Sequence, residues 1–225
     1  MNSYQPLPVG ARTGAPSTVQ GHRVLRNTYL LLSMTLLFSA ATAGFAVVTQ
    51  APPMHWLLLL VGMFGLLFLT MKLRNSAWGL ASVFAFTGFM GYTLGPVLSR
   101  YLAMPGGGEL VMGAMGLTGL IFLSLSAYVL TTRKDFSFMG GFLFVGLIVA
   151  LVASLAAMFF SVPGLHVAVS AMVVMLMSGF ILYDTSSILH GGETNYIMAT
   201  VALYLDIFNL FTSLLQLLGI LGSDD

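Results

Sequence analysis

The chain has 225 residues, of which 58% are hydrophobic and only 7% are charged. This composition excludes an ordinary water-soluble domain, and apolar runs of about 18 residues or more predict a polytopic membrane protein. The net charge of +1 provides no cluster of Lys and Arg for phosphate contacts, so we expect no nucleic-acid partner. The absence of cysteine excludes disulfides, thiol nucleophiles and thiolate metal sites.

The N-terminal segment, residues 1–26, is predicted to be a disordered cytoplasmic tail. It is rich in Pro and Gly up to residue 21 and holds few apolar anchors. The basic segment 22–26, the apolar run after it and Ala41-Thr42-Ala43 also resemble a cleavable signal peptide. Because the apolar run continues past Ala43 and six more runs follow, we expect the segment to be retained.

Residues 27–221 are predicted to form an all-α transmembrane domain of seven helices, followed by a short C-terminal segment, residues 222–225. Glycines at one-turn spacing in the third and fourth runs predict faces on which helices approach closely. These glycines are Gly88, Gly91, Gly95, Gly113, Gly116 and Gly119. The predicted spans are residues 27–50, 54–71, 77–98, 110–131, 138–160, 165–189 and 196–221.

Basic residues indicate which connections face the cytoplasm. Lys72 and Arg74 follow the second span, a basic pair at 133–134 follows the fourth, and three arginines precede the first. The opposite side carries only Arg100. By the positive-inside rule the N-terminus is cytoplasmic, and seven spans then place the C-terminus on the other side.

Asp184 and Asp206 are the only Asp, Glu, Lys or Arg residues inside the seven apolar runs. A charge at mid-bilayer costs roughly 2.5 to 3.5 kcal/mol on insertion scales, so such acids usually serve ion, proton or catalytic chemistry. They lie roughly 10 and 16 Å from the turn between the last two spans, so they can meet. Two carboxylates in one site repel when both are ionised. We therefore predict that the pair titrates as a unit and that protonation acts as a switch.

A polar stripe follows the second of these acids along the last span. Asp206, Asn209, Ser213 and Gln216 have offsets of three, seven and ten residues, which place them on one helical face. This pattern predicts that the stripe is turned toward other helices or a narrow aqueous cavity. In the alternative interpretation, the two acids only hold the bundle together by pairing with basic residues on the same side, such as Lys72 or Arg74.

An enzymatic alternative is an intramembrane aspartyl protease. Tyr183-Asp184 matches the Tyr-Asp pair of those enzymes, but Leu203-Tyr204-Leu205-Asp206 stands where they carry Gly-x-Gly-Asp, and their Pro-Ala-Leu element is absent. The histidines do not combine with the acids into a metal set. We therefore predict a protein that is not an enzyme and has no resident metal or cofactor.

Three segments of the chain resemble the signature of the Bax inhibitor-1 family. They are Gly79-Leu80-Ala81-Ser82, Gly95-Pro96-Val97-Leu98 and Thr118-Gly119-Leu120-Ile121-Phe122. The family's paired C-terminal acids are resembled by the segments that contain Asp184 and Asp206. The resemblance covers about residues 22–221 and is especially close to bacterial members. It implies a bacterial inner-membrane protein with six helices around a central seventh. With the orientation predicted from the basic residues, the N-terminus is then cytoplasmic and the C-terminus periplasmic.

The resemblance implies two functions. Bacterial members bind the membrane AAA protease FtsH, restrain it and are slow substrates pulled by their cytoplasmic tail, so we expect a modulator of FtsH. Other members are pH-sensitive calcium leaks gated by two aspartates and closed by a basic latch. In that alternative Asp184 and Asp206 sense ions and protons, with Lys72 or Arg74 as the candidate latch and Asn209, Ser213 and Gln216 as supporting groups. Two carboxylates supply too few oxygens for a tight calcium cage, which favours transient passage of Ca²⁺.

Overall fold

The computed structural model describes residues 18–159 and 164–222 of the chain. These residues are helical apart from their connections, contain no strand, and confirm the predicted all-α class. Seven of the helices are long and apolar enough to cross a membrane. They are α1 (Thr18–Val48), α2 (Trp56–Leu73), α3 (Trp78–Leu102), α4 (Gly107–Thr132), α5 (Gly140–Phe159), α6 (Leu165–His190) and α7 (Tyr196–Leu221), with a short 3-10 helix, Ser137–Met139, before α5.

The first helix begins earlier than the sequence predicts. Residues 18–26 of the predicted disordered tail form the first turns of α1, and residues 1–17 lie outside the described residues. Val24 and Leu25 pack against the buried core, and Gly21 lies against the backbone of Leu189 in α6. The prediction was wrong for 18–26 because it assumed too few apolar anchors, whereas Val24 and Leu25 pack against the core and stabilise these first turns of the helix.

Helix α7 is the most buried of the seven helices. It packs against α1, α3, α4 and α6, while α2 packs mainly on α3 and α5 on α6 at the outside of the bundle. This burial confirms the predicted central position of the seventh helix, although four helices rather than all six others pack against it. The arrangement leaves part of its surface uncovered.

The extensive packing of α1 against α3 depends on the glycines of the third span. Gly88, Gly91 and Gly95 face Phe38, Ser39 with Thr42, and Ala46 of α1, at distances that leave no room for a Cβ atom. This confirms the predicted close-packing face in α3. The glycines of α4 behave differently, since Gly116 and Gly119 have open space where a Cβ would stand.

A buried hydroxyl network joins three helices at the centre of the bundle. The hydroxyl groups of Ser39 in α1 and Tyr204 in α7 lie 2.7 Å apart. The Tyr204 hydroxyl donates to the carbonyl oxygen of Thr87 in α3 at 3.2 Å. Because these groups are buried, the hydrogen bonds satisfy atoms that water cannot reach.

Candidate functional site

The candidate site lies where α6 and α7 form a tight hairpin. Helix α6 ends at His190 and is capped by Gly191, whose φ of 79° is accessible to glycine without strain. The N–H of Gly192 donates to the carbonyl oxygen of Ser187 at 2.8 Å. Asn195 caps α7 by accepting the backbone N–H groups of Ile197 and Met198 at 3.0 and 3.1 Å. The short connection makes the two helices antiparallel neighbours and aligns their polar residues.

Asp184 of α6 and Asp206 of α7 meet across this hairpin, as the sequence analysis expects. Their carboxyl groups lie within hydrogen-bonding reach of each other. Asp206 is buried, with 6% of its surface exposed, whereas Asp184 is half-buried. Oδ2 of Asp206 is reached by no N–H or O–H donor of the described residues. The two acids therefore form one unit in which Asp184 is the member closer to solvent.

A cavity of about 220 Å³ opens beside Asp184 at the end of the bundle that carries the hairpin turn. Polar and apolar residues both line it: Tyr183, Asp184, Ser187, Ile188, Gly192, Glu193, Ala199 and Ala202. Glu193 is held in position because its Oε1 accepts the backbone N–H of Asn195 at 2.7 Å. The cavity thus presents two carboxylates on its wall and a third, Asp206, behind Asp184.

No sequence pattern indicates Glu193 as a site residue. Tyr183 and Ser187 were likewise not assigned to the site. The signal available for Glu193 was its place in the six-residue turn that joins the two spans carrying Asp184 and Asp206. Since a turn residue has no helical register, periodicity could not show which way its carboxylate would point.

The candidate latch residues, Lys72 and Arg74, are not brought to the acid pair. Both are exposed at the end of α2, and no ion pair of either with Asp184 or Asp206 occurs in the described part of the chain. The Arg74 backbone has another role, because its carbonyl oxygen accepts a hydrogen bond from Nδ2 of Asn195 at 3.1 Å. This contact ties the α2–α3 connection to the start of α7.

A second set of hydrogen bonds ties the α4–α5 connection to the end of α6. Oγ of Ser186 accepts the backbone N–H of Phe136 at 2.9 Å and donates to the carbonyl oxygen of Lys134 at 3.3 Å. The ring of His190 lies with Nδ1 2.9 Å from the Ser186 carbonyl oxygen and Nε2 3.2 Å from that of Arg133. His190 thus acts at the end of α6 as a structural group.

Asp135 lies near Ser186 and His190, a combination of residue types that resembles a hydrolase triad. Ser186 is fully buried and its hydroxyl donates to a backbone carbonyl, so it is not an activated nucleophile. The backbone N–H of Ser137 donates to Oδ1 of Asp135 at 2.8 Å and holds the pKa of Asp135 below its ordinary value. Asp135, Ser186 and His190 therefore stabilise the α4–α5 connection.

The polar stripe of α7 is divided by the structure. Asp206 and Ser213 are buried, as the sequence analysis expects. Asn209 and Gln216 are exposed, so the expectation of an inward-facing stripe is wrong for these two residues. The reason is the incomplete enclosure of α7, which buries one edge of the stripe and leaves the other edge uncovered. No group of three or more His, Asp or Glu side chains in the described residues could hold a metal ion.

The chain is similar over nearly its whole length to known bacterial proteins and to one protein family. The chain matches the family described as "Inhibitor of apoptosis-promoting Bax1" over residues 21–223. It is 56% identical over 202 residues to an uncharacterized protein of Pseudomonas aeruginosa, covering 90% of this chain and 91% of the relative. It is 52% identical over 208 residues to "Modulator of FtsH protease YccA" of Escherichia coli, covering 92% and 94%. An uncharacterized membrane protein of Vibrio cholerae is 48% identical over 220 residues, covering 97% and 99%. The chain belongs to the Bax inhibitor-1 family.

Proposed function

We propose that the protein is a multi-pass inner-membrane modulator of the membrane protease FtsH, acting by binding rather than by catalysis. The observation that carries the proposal is the 52% identity to a relative named as a modulator of this protease, over nearly the full length of both chains. The same Escherichia coli protein is also named as an inner membrane protein in a second strain. Seven membrane-spanning helices and the absence of a soluble domain in the described residues suit a partner that binds within the bilayer.

The proposal includes the orientation and the tail. The connections that carry Arg74 and the basic pair Arg133 and Lys134 lie in the cytoplasm, with the N-terminus, and the C-terminus lies in the periplasm. The 17 residues before Thr18 provide a cytoplasmic end that an ATP-driven protease can grip. The protein then restrains FtsH and is itself degraded slowly.

Co-purification tests this function directly. FtsH and the protein are co-expressed, solubilised in a mild detergent and captured through a tag on the protein. We expect FtsH in stoichiometric amounts, and slower degradation of a membrane substrate by FtsH when the protein is included in proteoliposomes. Absence of FtsH from the eluate, together with unchanged proteolysis, would reject the proposal.

A second candidate function is a pH-responsive cation path through the acid pair. The observation that favours it is the cavity beside Asp184, which has Glu193 on its wall and the buried Asp206 behind it. Three carboxylates arranged from the cavity inward can pass a cation or proton between them, whereas no basic side chain of the described residues pairs with the two intramembrane acids. In this function Ca²⁺ is a transient substrate.

A further inference from the structure

Three residues of α7 form a line along its uncovered side. Ala202, Asn209 and Gln216 are spaced by seven residues, and their exposure increases from half-buried to exposed along the line. The residues three positions before each of them, Ala199, Asp206 and Ser213, are buried. The two sets together alternate by three and four residues, which is the spacing of the two rows of contacts on one face of a packing helix. On the buried row, Asp206 faces Asp184 of α6.

The exposed carboxamides lie at depths where lipid surrounds a membrane protein. Asn209 is 13 residues from Tyr196, or roughly 20 Å along a helix of roughly 39 Å, which is mid-bilayer. One N–H of its side chain donates to the carbonyl oxygen of Leu205 at 2.8 Å. A carboxamide has two N–H groups and an oxygen to satisfy. The rest of the Asn209 amide and the whole Gln216 amide have no hydrogen-bond partner in the described residues.

Two other exposed polar side chains of the bundle, Ser33 and Ser154, do not leave a donor unused. The hydroxyl groups of Ser33 and Ser154 donate to the carbonyl oxygens of Tyr29 and Ala150, one turn earlier on their own helices, at 2.8 and 2.7 Å. A serine hydroxyl on a lipid-facing helix can therefore satisfy its donor locally. The longer carboxamides keep unused donors and acceptors. In hydrocarbon such groups are stabilised by a hydrogen bond from a neighbouring helix.

We propose that the line Ala202–Asn209–Gln216, here named the α7 seam, is the surface on which a transmembrane helix of FtsH docks. This proposal rests on the proposed function, because it identifies where the protease is bound. A partner that binds within the bilayer must present a membrane-spanning helix. The seven-residue spacing lets one such helix, crossing at about 20°, contact all three positions. The small Ala202 permits close approach, and a polar side chain of the partner at mid-bilayer pairs with the Asn209 amide.

Substitution of the two carboxamides by leucine tests the seam. Asn209→Leu and Gln216→Leu replace exposed groups with a lipid-compatible side chain, so each variant should fold and keep its thermal midpoint in detergent. We expect each to raise the dissociation constant for FtsH about three- to thirtyfold, the loss of one hydrogen bond between helices in lipid. Ser154→Leu on α5 is the matched control, because it adds the same side chain to another exposed helix position and should leave binding unchanged.

The outcomes separate this inference from the proposed function. If the unsubstituted protein fails to bind FtsH, the proposed function is wrong and the seam assignment falls with it. If the unsubstituted protein binds and both leucine variants bind equally well, only the seam assignment is wrong. A weaker interaction in the two seam variants but not in Ser154→Leu supports it.

Cysteine crosslinking distinguishes a transmembrane helix of FtsH from a second copy of this chain as the partner at the α7 seam. Because the chain has no cysteine, Asn209→Cys and Gln216→Cys each create a single reactive site. Single cysteines are placed in the transmembrane helices of FtsH, at positions that share one face of a helix. Under mild oxidation we expect disulfides between these cysteines and those of the seam. Crosslinking of the protein to itself at these positions, with none to FtsH, would overturn the proposal and identify the seam as a contact between two copies.

Discussion

The hydroxyl groups of Ser39 and Tyr204 are 2.7 Å apart, 165 positions apart in sequence, and buried at the point where α1 and α7 cross. Tyr204→Phe removes this bond and the bond to the Thr87 carbonyl oxygen, so we expect a loss of about 1 kcal/mol in the free energy of unfolding. Reversible unfolding in mixed detergent micelles measures the change. In a double-mutant cycle with Ser39→Ala the two effects should be less than additive, and full additivity would show that the two hydroxyls are not coupled.

The glycine face of α3 gives a second prediction. A Cβ atom at Gly91 would meet the Ser39 carbonyl oxygen and the Thr42 hydroxyl, so Gly91→Ala should destabilise the bundle by about 1 to 3 kcal/mol. Gly116 in α4 has open space, and Gly116→Ala should be neutral or stabilise by up to about 1 kcal/mol, because alanine favours helix. Thermal unfolding of the two variants compares them directly. Similar midpoints would mean that α1 and α3 separate easily.

The third prediction concerns the tail. Deletion of residues 2–10 touches none of the described helices, so folding should be unchanged, whereas the protein should survive longer in cells that contain FtsH. Pulse-chase labelling measures the half-life, and cells lacking FtsH provide the control, in which both forms should be equally long-lived. Equal half-lives in the presence of FtsH would show that the protease does not engage this end.

The fourth prediction concerns orientation. A reporter that is active only in the periplasm, fused after Asp225, should be active, because the positive-inside rule predicts that the basic connections at the opposite ends of the helices lie in the cytoplasm. The same reporter inserted in the α4–α5 connection after Lys134 should be inactive. Activity in the reverse pattern would contradict the positive-inside assignment and place the cavity beside Asp184 on the periplasmic side.

The fifth prediction concerns the acid pair. If Asp184 and Asp206 act as one unit, Asp184→Asn and Asp206→Asn should each abolish the pH dependence of Ca²⁺ flux in proteoliposomes, and the double variant should be no worse than the more severe single variant. Asp135→Asn is the control, since this exposed acid lies in the α4–α5 connection and bonds to the Ser137 backbone. Unchanged pH profiles in both single variants would leave the acids as structural groups.

The sequence alone predicted the number of spans, the two intramembrane acids and the family to which the chain belongs. A membrane helix must satisfy its backbone internally and present about 20 apolar residues to lipid, so hydropathy locates each span directly. Asp184 and Asp206 stood out for the same reason, because an ionisable group in such a run is rare. Their shared site also followed, since a six-residue turn makes adjacent helices antiparallel and aligns residues at similar depths.

Tertiary structure decided what no periodicity could show. Asn209 and Ser213 share one helical stripe, yet one is exposed and the other buried, because the boundary of burial depends on which helices pack against α7. Glu193 lines the cavity because the conformation of the turn directs its side chain there. Lys72 lies away from the acid pair because α2 packs on α3 rather than on the α6–α7 hairpin. A helical pattern specifies which residues share a face. Only the packing of the bundle determines what that face meets.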